Sequence, residues 1–479
     1  MSNLLKIRVI KMALTSFLTA FRSGQGLKGQ LLRGGVGSVA IKIGSTLLNV
    51  GLAIVLARAL GAEGFGVYSF VFALITIMAI PAQMGLPNLV VRETAKAQAG
   101  ENWGLMKGLW RWSSLMALGM SAVLMAIGAL AAWIFAANLP EGGIAVFYWG
   151  LVLVPLVALG NLRGAALRGL RHVVQGQLPE FILRPAFLIG LVLAAHFGLS
   201  ARALTASDAM MLHAVASLMA FMIGAWLLLR ARPVELKAAQ NPEVHTRLWL
   251  ASAVPLAMIA GMNQLITNTD VVMLGFFKAH ADVGYYKIAV QGAVLVALVL
   301  SAANLVVMPH IARLYAQGDL KRLQRVATTS ARSTAMFSLP AFLVIVVFGR
   351  EIIGILFGNE FEPGYTALVI LACGQLINAL ASSVGPLLSM SGHERHLSQV
   401  LFAMVGLNMA LNYALIPMFG ITGAALATAT TIATKNLILW GVVRRHLGID
   451  ASALGLSVGR PRISTPVRSN LEQQESNEK

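Results

Sequence analysis

From Ser38 to Leu447 the chain alternates long apolar runs with short polar breaks. Each run is roughly 20 residues long, which at about 1.5 Å per helical residue covers a bilayer core of about 30 Å. The pattern predicts helices over residues 38–60, 65–90, 111–136, 144–166, 177–198, 207–229, 249–277, 284–308, 331–357, 364–390, 397–418 and 421–444. That makes an all-α integral membrane protein of about twelve transmembrane helices. So little chain lies outside the spans that any function must be carried out within the lipid or at its surfaces.

The polar breaks carry the second signal. Basic residues crowd the loops after the even-numbered spans, with Arg92, Lys96, Lys107 and Arg111 after the second and Arg313, Lys321, Arg322, Arg325 and Arg332 after the eighth. Loops after the odd-numbered spans hold only Arg202, Lys278 and Arg350. Lys and Arg mark the cytoplasmic side, so both termini are expected there. Residues 1–35 form a basic segment with no acidic residue before Glu63. It reads as a cytoplasmic arm lying on an anionic leaflet, or as a transit peptide; the lack of a small-residue cleavage site favours the arm. The tail, residues 448–479, reads as disordered.

Composition narrows the class. Hydrophobic residues make up 57% and charged residues 12% of the 479, with a net charge of +18. That is about half the charge of a soluble domain, and the basic residues sit at span ends, so nucleic acid is not the expected partner. Cys373, the single cysteine, allows no internal disulfide and is expected as a small core residue. There is no GxxxxGK[ST] phosphate loop, no HExxH or CxxC cluster and no local DxD pair. Hydrolysis of ATP, metal chemistry and glycosyl transfer are therefore disfavoured, no cofactor is expected beyond coupling to a proton or sodium gradient, and the chain is not expected to be an enzyme.

The chain repeats itself. Gly66-Val67-Tyr68 recurs as Gly284-Tyr285-Tyr286, Asn88-Leu89-Val90-Val91 as Asn304-Leu305-Val306-Val307, and Ala97-Gln98-Ala99-Gly100 as Ala316-Gln317-Gly318, in the same order and at a nearly constant offset. Each half holds an even number of spans, so both insert the same way up, as parallel repeats around a central cleft. The expected units are a six-helix bundle over residues 36–230, a linker over 231–248 and a second six-helix bundle over 249–447.

Lys42, Arg58, Arg184, Lys287 and Lys435 fall in or near spans. A charge at bilayer depth costs at least about 2.5 kcal/mol unless it snorkels, pairs or meets water. Snorkelling accounts equally well for Lys42, Arg58 and Lys287; Lys435, midway along the last span, is hardest to dismiss. Asp270 follows Asn263 and Thr267 at helical spacing, a polar face suited to a cavity or to an interhelical seam. Glu180 stands one turn before Arg184 and is expected to pair with it. Buried cations in a cleft suit an anionic lipid headgroup such as pyrophosphate. Asp270 suits a charge pair or a coupling ion. Pro81, Gly85, Pro87, Pro155, Pro255, Pro309, Pro340, Gly385 and Pro386 are each able to kink a span.

Asn268-Thr269-Asp270-Val271-Val272-Met273-Leu274-Gly275, followed by Val283-Gly284-Tyr285-Tyr286-Lys287-Ile288-Ala289, resembles bacterial polysaccharide flippases at their seventh and eighth spans. Ala57-Arg58-Ala59-Leu60-Gly61 with Gly64-Phe65-Gly66-Val67-Tyr68 is similar to that family's opening hairpin, and Arg168-Gly169-Leu170, Pro179-Glu180 and Leu183-Arg184-Pro185 to its fourth and fifth spans. The likeness covers roughly residues 34–447. It implies a Wzx-type flippase of the superfamily that includes multidrug exporters and the lipid II flippase. Such a protein would turn polyprenyl-pyrophosphate-linked oligosaccharide across the bacterial inner membrane for O-antigen, lipopolysaccharide or exopolysaccharide export, alongside polysaccharide polymerase and chain-length machinery. The expected substrate-binding residues are Arg58, Arg184, Lys287, Lys435 and Lys42, with Asp270 as ion or charge-pair site and Asn263 and Thr267 as polar cavity face. A cation-coupled drug exporter and a membrane glycan polymerase or ligase are the rival readings.

Overall fold

The computed structural model describes residues 27–134, 143–198, 203–238, 242–453 and 455. Every described element is helical. The helices are α1 (Leu27–Gln83), α2 (Leu86–Ala99), α3 (Trp103–Ile134), α4 (Gly143–Gly169) and α5 (Val173–Leu178), which continues through a π-helical turn, Pro179–Leu183, into α6 (Arg184–Gly198). Then come α7 (Ala206–Ala231), α8 (Val234–Ala238), α9 (Thr246–Phe277), α10 (His280–Ala316) and α11 (Leu320–Leu356). A 3-10 turn, Asn359–Gly364, leads into α12 (Tyr365–Leu380), α13 (Val384–Met390) and α14 (Glu394–Leu447).

Among the described residues, 10 continuous helical stretches are long and apolar enough to cross a membrane. Two of them are longer than one crossing needs. α1 has 57 residues and α14 has 54, lengths of about 80–85 Å if straight. α1 breaks at Gly61 (φ 66°, ψ 178°) and α14 at Gly420 (φ 57°, ψ −131°), backbone regions open essentially to glycine alone. Beyond each break the chain doubles back. Leu52 and Phe72 of α1 line one chamber, and a Cβ on Gly423 would strike the Leu415 carbonyl. Both breaks fall where the sequence places a span boundary.

Most of the span prolines lie within helices and do not end them. Pro81, Pro155, Pro255, Pro309 and Pro340 lie inside continuous helices. Pro87 and Pro386 sit in the first turns of α2 and α13, where a missing N–H costs nothing. Glycines and short polar turns make the breaks instead. The expected run 65–90 stops at Met84-Gly85, and the run 364–390 stops at Ala381-Ser382-Ser383.

Close backbone approaches join the first half of the chain to the second. A Cβ on Gly66 would land on the His280 carbonyl oxygen, and one on Gly284 would land on the Ala62 carbonyl oxygen. The contact is reciprocal: each glycine of the repeated Gly-x-Tyr motif meets the residue four before its counterpart. Phe65 and Phe361 extend the seal, with ring centroids 6.3 Å apart.

Three expectations are corrected. The disordered tail does not begin at residue 448: Ile449 and Ala451 are fully buried, and the Asp450 carboxylate accepts a bond from Trp440 Nε1 at 2.8 Å. The rest of the tail beyond Gly455, and residues 1–26 of the basic arm, lie outside the described residues. Residues 231–248 are no free linker, because Leu236 on α8 packs against Ala97, Met106 and Leu170. Cys373 is exposed on α12 rather than buried in a core.

Candidate functional site: a cationic cavity between the two halves

A cavity of about 520 Å³ opens between the halves. The first half supplies α1 (Phe72, Thr76, Gln83), α2 (Asn88), α4 (Gly160, Asn161, Arg168) and the π turn with the start of α6 (Glu180, Arg184). The second half supplies α9, through Ala257, Gly261, Gln264, Thr267 and Asn268. Gln83, Asn88, Arg168 and Arg184 lie toward the Arg-rich end of their helices, Thr267 and Asn268 lie deeper, and the glycine contacts sit at the opposite end. A smaller chamber of about 140 Å³ continues the space, lined by Asn49, Tyr68, His213, Lys287 and Gln291. Phe72 and Arg184 line both chambers and so mark their junction.

Arg184 is the sequence-predicted cation best placed for a ligand. It is partly exposed, and its Nη1 lies 3.5 Å from Glu180 Oε2, the i,i+4 pair expected from spacing. The shorter contact of Glu180 goes elsewhere: Arg163 Nη2 donates to Glu180 Oε1 at 2.9 Å, and Arg163 Nη1 donates to the Phe221 carbonyl at 2.6 Å. The expected helix over 144–166 ends just past Arg163 and leaves Arg168 outside it. α4 instead runs to Gly169 and carries both within its last turns, with Arg163 almost fully buried. Gly160 and Gly224 make the pair possible, since a Cβ on either would collide with Glu180 or Arg163 respectively. With Glu180 thus shared, Arg168, Arg184 and Lys287 leave the chambers positive. The Nε of Arg168 is buried with no hydrogen-bond partner among the described residues.

Lys287 faces the small chamber and makes no ion pair among the described residues. Asp270 itself is buried, held by Tyr286 Oη and by Thr428 Oγ1, the latter at 3.1 Å. The polar face expected on α9 splits accordingly. Thr267 lines the large chamber with Gln264 and Asn268, while exposed Asn263 donates to the Ile259 carbonyl at 3.0 Å.

The remaining predicted residues line neither chamber. Arg58 is engaged at the closed end, where its Nε donates to the Leu356 carbonyl at 2.8 Å and its Nη2 to the Ile355 carbonyl, capping the C-terminus of α11. Lys42 is exposed. Lys435 is half-buried on α14 beside a seam in which Asn436 donates to Asn378 at 3.0 Å. Sequence reading missed Tyr68 and His213, joined at 2.8 Å from hydroxyl to Nδ1, and Asn161 and Gln83, joined at 2.9 Å. Lone polar residues on apolar helices leave no periodic signal.

Residues 55–365 match the family model described as polysaccharide biosynthesis protein. The chain belongs to that family. A curated relative, the probable low-salt glycan biosynthesis flippase Agl15 of Haloferax volcanii, is 26% identical over 385 residues, covering 80% of this chain and 77% of its own. Two solved structures share the fold. The lipid II flippase MurJ in an inward closed conformation superposes with a TM-score of 0.68 at 13% identity, over 85% of this chain and 87% of its own. An inward-facing multidrug resistance MATE family transporter of the MOP superfamily superposes with a TM-score of 0.66 at 14% identity, over 86% and 98%. The family match and the ten crossing-length helices among the described residues make this a multi-pass membrane protein.

Proposed function

We propose that this chain flips polyprenyl-pyrophosphate-linked oligosaccharide across the bacterial inner membrane for surface polysaccharide export, by alternating access. The observation that carries the reading is the positive cavity between the halves, with Arg184 at its junction, Arg168 toward its mouth and Lys287 beyond. Arginine forks suit pyrophosphate oxygens, and the amide-rich wall of Gln83, Asn88, Asn161, Gln264 and Asn268 suits sugar hydroxyls. Spontaneous passage of a glycan would cost several kcal/mol for each unpaired hydroxyl. A wet, polar path removes that cost without chemistry. Agl15 and MurJ are themselves described as flippases, which supports the same reading.

With the hairpins at Gly61 and Gly420, the helices make about twelve crossings in two parallel repeats. Both termini then lie in the cytoplasm on the Arg-rich side, and the cavity faces inward. The MATE-like fold alone also admits a drug exporter. The cavity's sign disfavours cationic drugs.

The test is flipping of a fluorescent lipid-linked sugar in vesicles. Charge-assisted hydrogen bonds are worth about 1.5–3 kcal/mol, so Arg184→Gln and Lys287→Gln should each slow flipping by about 10–100-fold at unchanged membrane level. Lys42→Gln and Lys435→Gln should have smaller effects. Undiminished flipping in the Arg184→Gln, Lys287→Gln double variant removes the site. Loss of pyrophosphate from the probe would indicate an enzyme, and uptake of a cationic dye a drug exporter.

A further inference from the structure

A second basic pocket lies away from the cleft, on the outer side of the first half. α3 and α7 each pack on α4, and between them opens a space of about 360 Å³ lined by Arg111, Arg163 and Arg232 with Trp110, Phe221 and Leu229. It adjoins a further space of about 400 Å³ that shares Trp110 and Arg232 and adds Lys107 and Lys237. The cations gather at the Arg-rich end of these helices. The walls above them are apolar, and the flanking side chains face outward: Leu229 is 52% exposed, Leu115 61% and Trp226 54%.

We propose that this groove binds the phosphate headgroup of an acidic bilayer lipid, with the acyl chains lying along the apolar walls of α3 and α7. Three features point to that occupant. First, the charge and its depth match an anionic headgroup at the membrane interface, where basic pockets between helices hold such lipids. Second, Arg163 Nε and Arg232 Nε are both buried without a hydrogen-bond partner among the described residues. Arg163 is 5% exposed and fixed by Glu180 and Phe221, so its charge is held in place on the pocket wall. Third, the mouth is hydrocarbon-like, which a free inorganic anion does not need and an acyl chain does. The groove is not a side door for the glycan, because α4 and the Arg163–Glu180 pair stand between it and the cleft. That pair also touches Arg184 through Glu180. A headgroup on Arg163 would thus bear, through one shared carboxylate, on the cation at the chamber junction.

Thermal unfolding of the purified full chain in detergent tests this without relying on flipping. Phosphatidylglycerol should raise the melting temperature by about 3 °C, and equal amounts of phosphatidylcholine, or millimolar inorganic phosphate, should not. The difference should vanish in the Arg111→Gln, Arg232→Gln double variant. It should also vanish in Ala225→Phe, which fills the pocket and keeps every charge. Equal shifts with both lipids, or a full shift with inorganic phosphate alone, would overturn the proposal, as would a phosphatidylglycerol shift surviving in Ala225→Phe. Should neither variant fold, native mass spectrometry of the wild type from an equimolar lipid mixture decides: preferential retention of phosphatidylglycerol supports the site, and equal retention refutes it.

Discussion

Glu180 is the residue on which two arginines depend. Its carboxylate holds Arg163 at 2.9 Å and Arg184 at 3.5 Å from opposite sides. Removing one partner of a buried pair leaves an uncompensated charge, a cost of about 3–5 kcal/mol. Glu180→Gln should therefore lower stability by about that amount in thermal unfolding, and should impair flipping further because Arg184 loses its anchor. The Arg163→Met, Glu180→Leu double variant removes the buried charges together and should recover most of the stability while flipping stays impaired. Only half of this was legible in sequence. The Glu180–Arg184 pair follows from i,i+4 spacing. The Arg163 contact bridges the turn at Arg171-His172 and depends on two helices meeting where Gly160 and Gly224 leave room.

Among the elements, the two glycine hairpins are the sharpest feature. Neither contains a polar loop, yet a change of direction is forced by backbone angles that L-residues rarely adopt. Gly61→Ala and Gly420→Ala should each cost about 1–3 kcal/mol in denaturant or thermal unfolding. Gly406→Ala is the control. It sits within α14, and a methyl there meets nothing within 4 Å, so it should be neutral or stabilising by up to about 1 kcal/mol. Sequence reading located both reversals because each falls between runs of crossing length. It named Gly85 as a possible kink but carried both runs through the stops at Gly85 and at Ser382-Ser383, since a short break barely changes the hydropathy averaged over a window.

For the molecule as a whole, the reciprocal contact of Gly66 with His280 and of Gly284 with Ala62 sets one end closed. Alternating access requires those backbones to part. Gly66→Leu places a side chain where the His280 carbonyl lies, so it should hold that end open. In a Cys373→Ser background, Ala62→Cys should then react with a thiol reagent about tenfold faster when Gly66→Leu is present. Equal reactivity would show that this contact does not govern closure.

Crossing lengths, the one-sided spread of basic residues and the internal repeat were settled by the sequence, because hydropathy and charge act locally and sum along the chain. Tertiary structure alone decided which charges meet the cavity. Arg58 turned from candidate ligand into a helix cap, Arg163 came to pair with Glu180, Arg168 fell inside α4 rather than beyond it, and Arg184 and Lys287 came to line adjoining chambers. The physical reason is that a side chain's exposure depends on how its helix is rotated and how closely the neighbouring backbones approach.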